Sequence, residues 1–243
     1  MQNEVVLLHG WGMNKAVWQL CEEALAPTTP IKAVNLPGFG GTPSAEGDYS
    51  LERNALLIAE QLMPQSVLIG WSLGGLFALY LAAHFPDKVS KVILVASTPF
   101  FCEQADWPGI APKVLNNFET QLQTNSVKTI ERFLAIQAMG SEHAREDIKQ
   151  LKALLGTLPE AEAKALAGGL EILKSQDLRD EFSRLQLPTI GIFGRLDSLV
   201  PQAAVEKMQV LNPNFKAHML AKASHAPFIS HKEAFLSLLK SIV

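Results

Sequence analysis

Ser66-Val67-Leu68-Ile69-Gly70-Trp71-Ser72-Leu73-Gly74-Gly75 joins a short β-branched run to a longer, almost wholly apolar one, Leu73 to His84. The join reads G-x-S-x-G, with Ser72 at its centre. A strand that turns straight into a helix here bends so sharply that side chains in place of Gly70 and Gly74 would clash. The bend lifts the Ser72 hydroxyl to the edge of a sheet and points a helix N-terminus at it. The pentapeptide alone is only moderately specific, since a glycine-rich turn with an incidental serine has the same letters. Its place between strand and helix is what gives it weight.

Outward from this point, further apolar runs recur at Val5-Val6-Leu7-Leu8, Ile31 to Asn35, Val89 to Ala96, Thr189 to Phe193 and Lys216 to Leu220. Most lack polar alternation, as strands buried on both faces of a parallel sheet do. Helical spacing fills the gaps at Leu51 to Met63, Leu73 to His84, Ala203 to Leu211 and Lys232 to Ile242. Strands alternating with helices predict an α/β class fold with a mostly parallel, doubly wound sheet. The alternation stops between about Phe100 and Gln186. Four helices are expected there, over Pro112–Thr124, Ser126–Met139, Glu142–Thr157 and Pro159–Ser175, with Gly140 and Pro159 as punctuation. The expected organisation is a core of residues 1–99 and 187–243 with an inserted four-helix cap of residues 100–186, over the carboxyl ends of the strands.

The chain has 243 residues, enough for one α/β domain with an insertion, and a formal net charge of −3. That balance suggests neither a nucleic-acid nor a membrane partner. Cys21 and Cys102 are the two cysteines; they make no metal spacing and no disulfide framework. Met1-Gln2-Asn3-Glu4 has no basic region, the apolar run after it is short, and no stretch is long enough to span a bilayer. A cytoplasmic location and a monomer are the expectations. No phosphate-binding or dinucleotide motif appears, so no cofactor and no metal are expected.

A serine hydroxyl needs a base. His225, in Ala223-Ser224-His225-Ala226-Pro227 between the last strand and last helix, is the candidate, with His231 as runner-up. The base needs an acid to hold its tautomer. Asp197 follows the strand Thr189–Phe193, and Asp177 and Asp180 compete without a strand before them. The order Ser72, Asp197, His225 is the order of an α/β-hydrolase fold. A tetrahedral intermediate needs two donors. Leu73 N–H is one; Trp11 N–H, in the loop His9-Gly10-Trp11-Gly12, is the other. Trp11, Trp71 and Phe133 are candidates to line an apolar channel to Ser72. Phe39, Phe100 and Phe101 are possible additions, for which core packing is the blander explanation.

Together, Leu7-Leu8-His9-Gly10-Trp11-Gly12, Leu36-Pro37-Gly38-Phe39-Gly40, the serine motif and Phe193-Gly194-Arg195-Leu196-Asp197 resemble α/β-hydrolase esterases. Four further segments are more specific: Ala105 to Ile110, Glu131 to Gln137, Gly168 to Lys174 and Ala223 to His231. These resemble the pimeloyl-carrier-protein methyl ester esterases of bacterial biotin synthesis over nearly the whole chain. The resemblance implies hydrolysis of the methyl ester of pimeloyl-acyl carrier protein. It also implies that Trp11, Leu73 and the run Phe133, Leu134, Ala135, Ile136 and Gln137 contact substrate. That family has extra residues before its first motif strand, so an antiparallel edge strand is expected to be short or missing here.

Lys128 and Arg132 share a helix face, as do Arg145 and Lys149, with Lys152 extending the second stripe. A solvated face diluted by Glu131, Glu142, Glu146 and Asp147 explains them equally well from sequence alone. The resemblance favours docking of an acidic acyl carrier protein, because the family uses basic cap residues at matching positions. Two other functions stay open. One is a broad short-chain carboxylesterase or thioesterase with no carrier partner; the other is a non-catalytic ligand receptor that keeps the three residues.

Overall fold

A computed structural model describes residues 3–243. Six strands, β1 (Val5–Leu8), β2 (Ile31–Val34), β3 (Ser66–Trp71), β4 (Val89–Val95), β5 (Thr189–Gly194) and β6 (Lys216–Leu220), form one sheet in the order β2-β1-β3-β4-β5-β6. Every neighbouring pair is parallel. Among the described residues no antiparallel strand flanks β2. The chain winds outward both ways from β1 and β3, so the crevice where strand order reverses lies at the carboxyl end of β3, where Ser72 follows.

Alternate residues of each strand feed two cores. Val6, Leu8, Leu68, Val92 and Leu94 meet α2 (Leu51–Ala59), α3 (Leu73–His84) and α9 (Gln202–Leu211). Val5, Leu7, Val67, Ile69 and Ile93 meet α1 (Gln19–Leu25) and α11 (Lys232–Ile242) on the other face. This two-sided burial is why the inner strands lack polar alternation. The edge strands β2 and β6 are only partly buried. Helix α3 is buried all round from Leu73 to Leu79, as its uniform hydrophobicity requires.

The insertion holds α4 (Pro112–Thr124), α5 (Ser126–Gln137), α6 (Ala144–Leu155) and α7 (Ala163–Ser175). Asn125 starts α5 by accepting the amide of Lys128 at 2.9 Å, and Pro112 occupies the first turn of α4. Helix α4 packs on α5 and α7, and α5 packs on α6.

Two expectations need correction, and one segment was not read at all. Pro159 does not begin α7. Residues 159–162 are not helical and Glu162 is extended, because Glu162 is held by the core: its N–H donates to Gly38 O at 2.8 Å and its carboxylate accepts from Ser44 Oγ at 2.6 Å. A fifth helix, α8 (Arg179–Arg184), lies before residue 186 but packs on α3 and α9, so it is part of the core layer. A single helical turn at Lys15–Trp18 and then α1 occupy a segment whose sequence shows no helical period. Short α10 (Pro227–Ser230) completes the list of helices.

Gly74 packs its Cα against the Leu8 and His9 carbonyls, where an added Cβ would overlap both. Gly74→Ala is expected to cost about 1–3 kcal/mol of stability by overpacking. Urea unfolding of the variant beside the parent checks this; equal midpoints would contradict it.

Candidate active site

Ser72 stands between β3 and α3 with φ 53° and ψ −119°. Positive φ at a non-glycine residue is strained and must be held by its surroundings. Three bonds hold it. Ser72 N–H donates to Val95 O at 3.0 Å, and Ser72 O accepts from Gly75 N at 2.9 Å and from Ser97 Oγ at 2.7 Å. Ser97 is a supporting residue with no local signature in the sequence. The strain follows from the turn: the chain must leave β3 and enter α3 with no intervening loop.

The loop after β1 is set by His9. The ring is fully buried; its Nε2 accepts Leu36 N–H at 3.0 Å and its Nδ1 lies 2.8 Å from Gly10 O. Only the neutral tautomer protonated on Nδ1 makes both bonds. Burial without a counter-charge depresses its pKa to about 4. Trp11 follows. Its indole N–H donates to Leu166 O in α7 at 2.8 Å, and its ring meets Phe133 edge-on at 4.8 Å. Its side chain thus ties the loop to the cap. Among the described residues, no hydrogen bond takes up the backbone N–H of Trp11 or of Leu73.

Asp197 and His225 meet across the ends of β5 and β6. His225 Nδ1 lies 2.8 Å from Asp197 Oδ2, with both side chains buried. Asp197 Oδ1 accepts the amides of Leu199 at 2.8 Å and Val200 at 3.1 Å. The carboxylate is therefore satisfied by two backbone amides and the imidazole ring. His225 Nε2 is buried and has no partner. The His225 peptide is gripped at both ends: Trp71 Nε1 donates to its carbonyl at 2.8 Å, and its N–H donates to Gln137 O at 3.2 Å. The Trp71 and His225 rings lie 5.9 Å apart. Trp71 precedes Ser72, so one residue links the two loops.

The competitors are occupied elsewhere. His231 Nδ1 lies 3.0 Å from Ser230 Oγ, and His84 stacks on Tyr80 at 4.1 Å. Asp177 pairs with Arg179 and Asp180 with Arg184. Phe39 packs on His9, and Phe100 lies under the Arg179 guanidinium, as core packing would have them. Among the described residues, no cluster of His, Cys, Asp and Glu is arranged to hold a metal.

On α5, Phe133, Leu134 and Gln137 are buried and Ile136 is half-buried, while Ala135 is exposed on the opposite face. The structure does not bring Ala135 to this cluster, because a helix that buries residues 133, 134 and 137 must turn 135 outward. Both polar atoms of the Gln137 carboxamide are buried without a partner. A cleft of about 390 Å³ opens between the loop after β1 and α5, α6 and α7, lined by Gly12, Ile130, Leu134, Leu155, Pro159 and Leu166 among others. Ser72 and His225 do not line it; it borders the neighbours of Trp11 and Phe133.

Lys128, Arg132, Arg145 and Lys149 are all exposed, and among the described residues none is in an ion pair. Lys152 bonds Glu131 at 2.8 Å, an exposed pair that bridges α5 and α6.

A strained serine at a strand–helix bend, with a buried His–Asp pair from the later loops, defines the serine hydrolase class. The family model for the alpha/beta hydrolase fold matches residues 3–232. A protein of Aeromonas hydrophila subsp. hydrophila, named pimeloyl-[acyl-carrier protein] methyl ester esterase, is 49% identical over 99% of this chain and 95% of its own length. One of the same name from Klebsiella pneumoniae subsp. pneumoniae is 46% identical over 95% of this chain and 90% of its own. An esterase structure from Exiguobacterium antarcticum superposes with a TM-score of 0.87 at 23% identity, covering 98% of this chain and 91% of that one, which speaks to fold alone. The chain belongs to the α/β-hydrolase family and, within it, to the group of esterases to which these relatives belong.

His9 makes stability depend on pH. Its folded pKa lies below the ordinary histidine value of 6.5, so its contribution is complete above pH 6.5. It is lost as pH falls toward 4, because only the unfolded chain takes up the proton in that interval. The interval corresponds to about 3 kcal/mol. His9→Gln is expected to remove this slope, so that its stability deficit against the parent shrinks between pH 7 and pH 4. Parallel denaturation curves at both pH values for the two proteins would contradict it.

Proposed function

We propose that this esterase removes the methyl group from pimeloyl-acyl carrier protein methyl ester, releasing methanol and the free carboxylate on the carrier-bound chain. The observation that carries the chemistry is the buried His225–Asp197 pair, with His225 Nε2 left unpartnered beside the bend that carries Ser72. The names of the relatives support the substrate.

His225 Nε2 takes the proton of Ser72 as Oγ attacks the ester carbonyl. The oxyanion forms against the N–H groups of Leu73 and Trp11, which no other bond uses. Asp197 keeps Nδ1 protonated and stabilises the imidazolium. The tetrahedral intermediate expels methoxide, which leaves as methanol with the His225 proton. Water then gives a proton to His225 and attacks the acyl-serine, freeing the carboxyl group and restoring Ser72.

The apolar chain packs on Trp11, Trp71, Leu73, Phe133, Leu134 and Ile136. The unpaired Gln137 carboxamide supports a polar contact with the bound ester, since a buried amide without a partner costs about 1–3 kcal/mol. The cleft at Gly12 and Ile130 is the entry path. Lys128, Arg132, Arg145 and Lys149 dock the acidic carrier protein as a local patch on a protein of net charge −3. The enzyme works as a monomer in the cytoplasm; no helix among the described residues is long and apolar enough to cross a membrane.

The direct test is release of methanol and of free pimeloyl-carrier protein from the methyl ester. Fast hydrolysis of other esters with none of this one would reject the substrate. Ser72→Ala is expected to abolish acylation, and Asp197→Asn to lower kcat by about 10⁴-fold with the fold intact, because the tautomer is lost. Near-full activity in the Asn variant would mean that another acid orients His225. Changing Lys128, Arg132, Arg145 and Lys149 together to Glu is expected to raise KM for the carrier-linked ester and leave pimeloyl methyl ester without carrier unaffected. Equal kinetics on both substrates would remove the carrier from the proposal.

A further inference from the structure

Ser224, the residue before His225, is buried, and its Oγ donates to Gln137 O at 2.8 Å. The same carbonyl accepts His225 N–H at 3.2 Å. Gln137 is the last residue of α5, so its carbonyl is one of those that a helix C-terminus leaves without an intrahelical partner. The next residues of the chain do not cap it. Met139 N–H goes to Ile136 O and Ser141 N–H to Ala138 O. The cap for this carbonyl comes instead from the last core loop, 87 residues away.

The end of α5 also touches the acid's loop. Gly140 lies at φ +87° and packs so closely on Leu196 that an added Cβ would sit 3.1 Å from the Leu196 Cβ. Leu196 N–H in turn donates to Ala223 O at 2.9 Å. One helix terminus of the cap therefore abuts the loops of both Asp197 and His225. The grip on His225 is divided between the two parts of the molecule. Its carbonyl is held by Trp71 from the core, and its N–H is held by Gln137 from the cap.

We propose that Ser224 is a positioning residue: through Gln137 O it fastens the loop of the general base to cap helix α5 and fixes where His225 Nε2 points. The inference rests on the assignment of His225 as base. A hydroxyl is needed because the Ser224 side chain must donate, and Gln137 O is the acceptor within reach. Without it, the N–H of His225, at the longer distance, is the only hydrogen bond among the described residues from the base loop to the helix end. Helix α5 also carries Lys128 and Arg132, so the base is fastened to the helix that presents half of the basic face.

Ser224→Ala tests this. Active sites are counted by complete labelling of Ser72 with a fluorophosphonate, so misfolded protein drops out of the rate. The loss of one hydrogen bond predicts a fall in kcat per labelled site of about five- to tenfold. The fall should be seen on both carrier-linked and small methyl esters, with KM within about twofold. Ser224→Thr, which restores the hydroxyl, should recover the rate. Ser224→Cys, which keeps the volume with a weaker donor, should lie between and serves if the Ala variant does not fold. An unchanged kcat per site in the Ala or the Cys variant, with Ser72→Ala inactive, overturns the role of Ser224 and leaves the hydrolase intact. A loss that Thr does not recover, or one that falls on KM, overturns it as well. Activity surviving in Ser72→Ala would instead strike the triad assignment itself.

Discussion

The buried bond between Asp197 and His225 sets the conditions for the rest of the site. A carboxylate taken out of water is costly unless its oxygens are paired. Asp197 Oδ1 is paid for locally, by two amides of the turn that follows it. Oδ2 is left with a single task, the ring of His225. That arrangement demands that the ends of β5 and β6 lie side by side at the same level as the bend after β3. A wholly parallel sheet provides this, since every strand delivers its following loop to one edge. The sheet also explains why the serine can be strained. Ser72 is bonded to Val95 and Ser97 at the end of the neighbouring strand, so the cost of its backbone is spread over two elements that the core already fixes.

The elements that carry this arrangement were legible in the sequence for a simple reason. The inner strands β1, β3, β4 and β5 are buried on two faces over most of their length and so appear as mostly apolar runs, and the helix after Ser72 has no polar face. Asp197 and His225, which the structure brings together, were singled out in the sequence by their positions after β5 and β6. The rest was written in long-range bonds that leave no local pattern. Ser97, Ser224 and the indole of Trp71 act on partners 25, 87 and 154 residues away. Helix α1 presents only Cys21 and Leu25 to the core, too few to set a period. Pro159 looked like a helix start because local rules favour it there, but the tertiary bonds of Glu162 to Gly38 and Ser44 hold Glu162 extended and delay the helix to Ala163. Burial could be read from composition; which buried group answers which could not.

The cap owes its place to aromatic packing and to a few bonds. Trp11 stands on the core side of the boundary and contributes to both: its ring meets Phe133, Phe133 meets Phe118, and its N–H reaches the backbone of α7. Edge-on pairs of this kind are worth about 0.5–1.5 kcal/mol each beyond the area they bury. The exposed ion pairs between α4 and α7 and between α5 and α6 add less, being open to solvent. The cap is thus fixed most firmly at its inner layer, next to Trp11 and His225, and least firmly at its outer face. The outer face of α5 and α6 is thus the softer side of a body whose inner side touches the loops of Asp197 and His225.

The electrostatics of that outer face follow from how its charges are spent. The chain carries 24 acidic and 21 basic residues, so its mean field repels an acidic partner weakly. At physiological salt, fields between exposed charges fade over about 8 Å, and the local arrangement outweighs the total. The Lys152–Glu131 bond neutralises one charge of each sign at the seam between α5 and α6. What remains on the two helices beside it are the cations Lys128, Arg132, Arg145 and Lys149, in no ion pair among the described residues, and the acids Glu146 and Asp147 of α6. The seam pair takes one acid from α5 and one cation from α6 out of the local balance, so the charge presented by these helices follows from which groups are paired and not from the net charge of the chain.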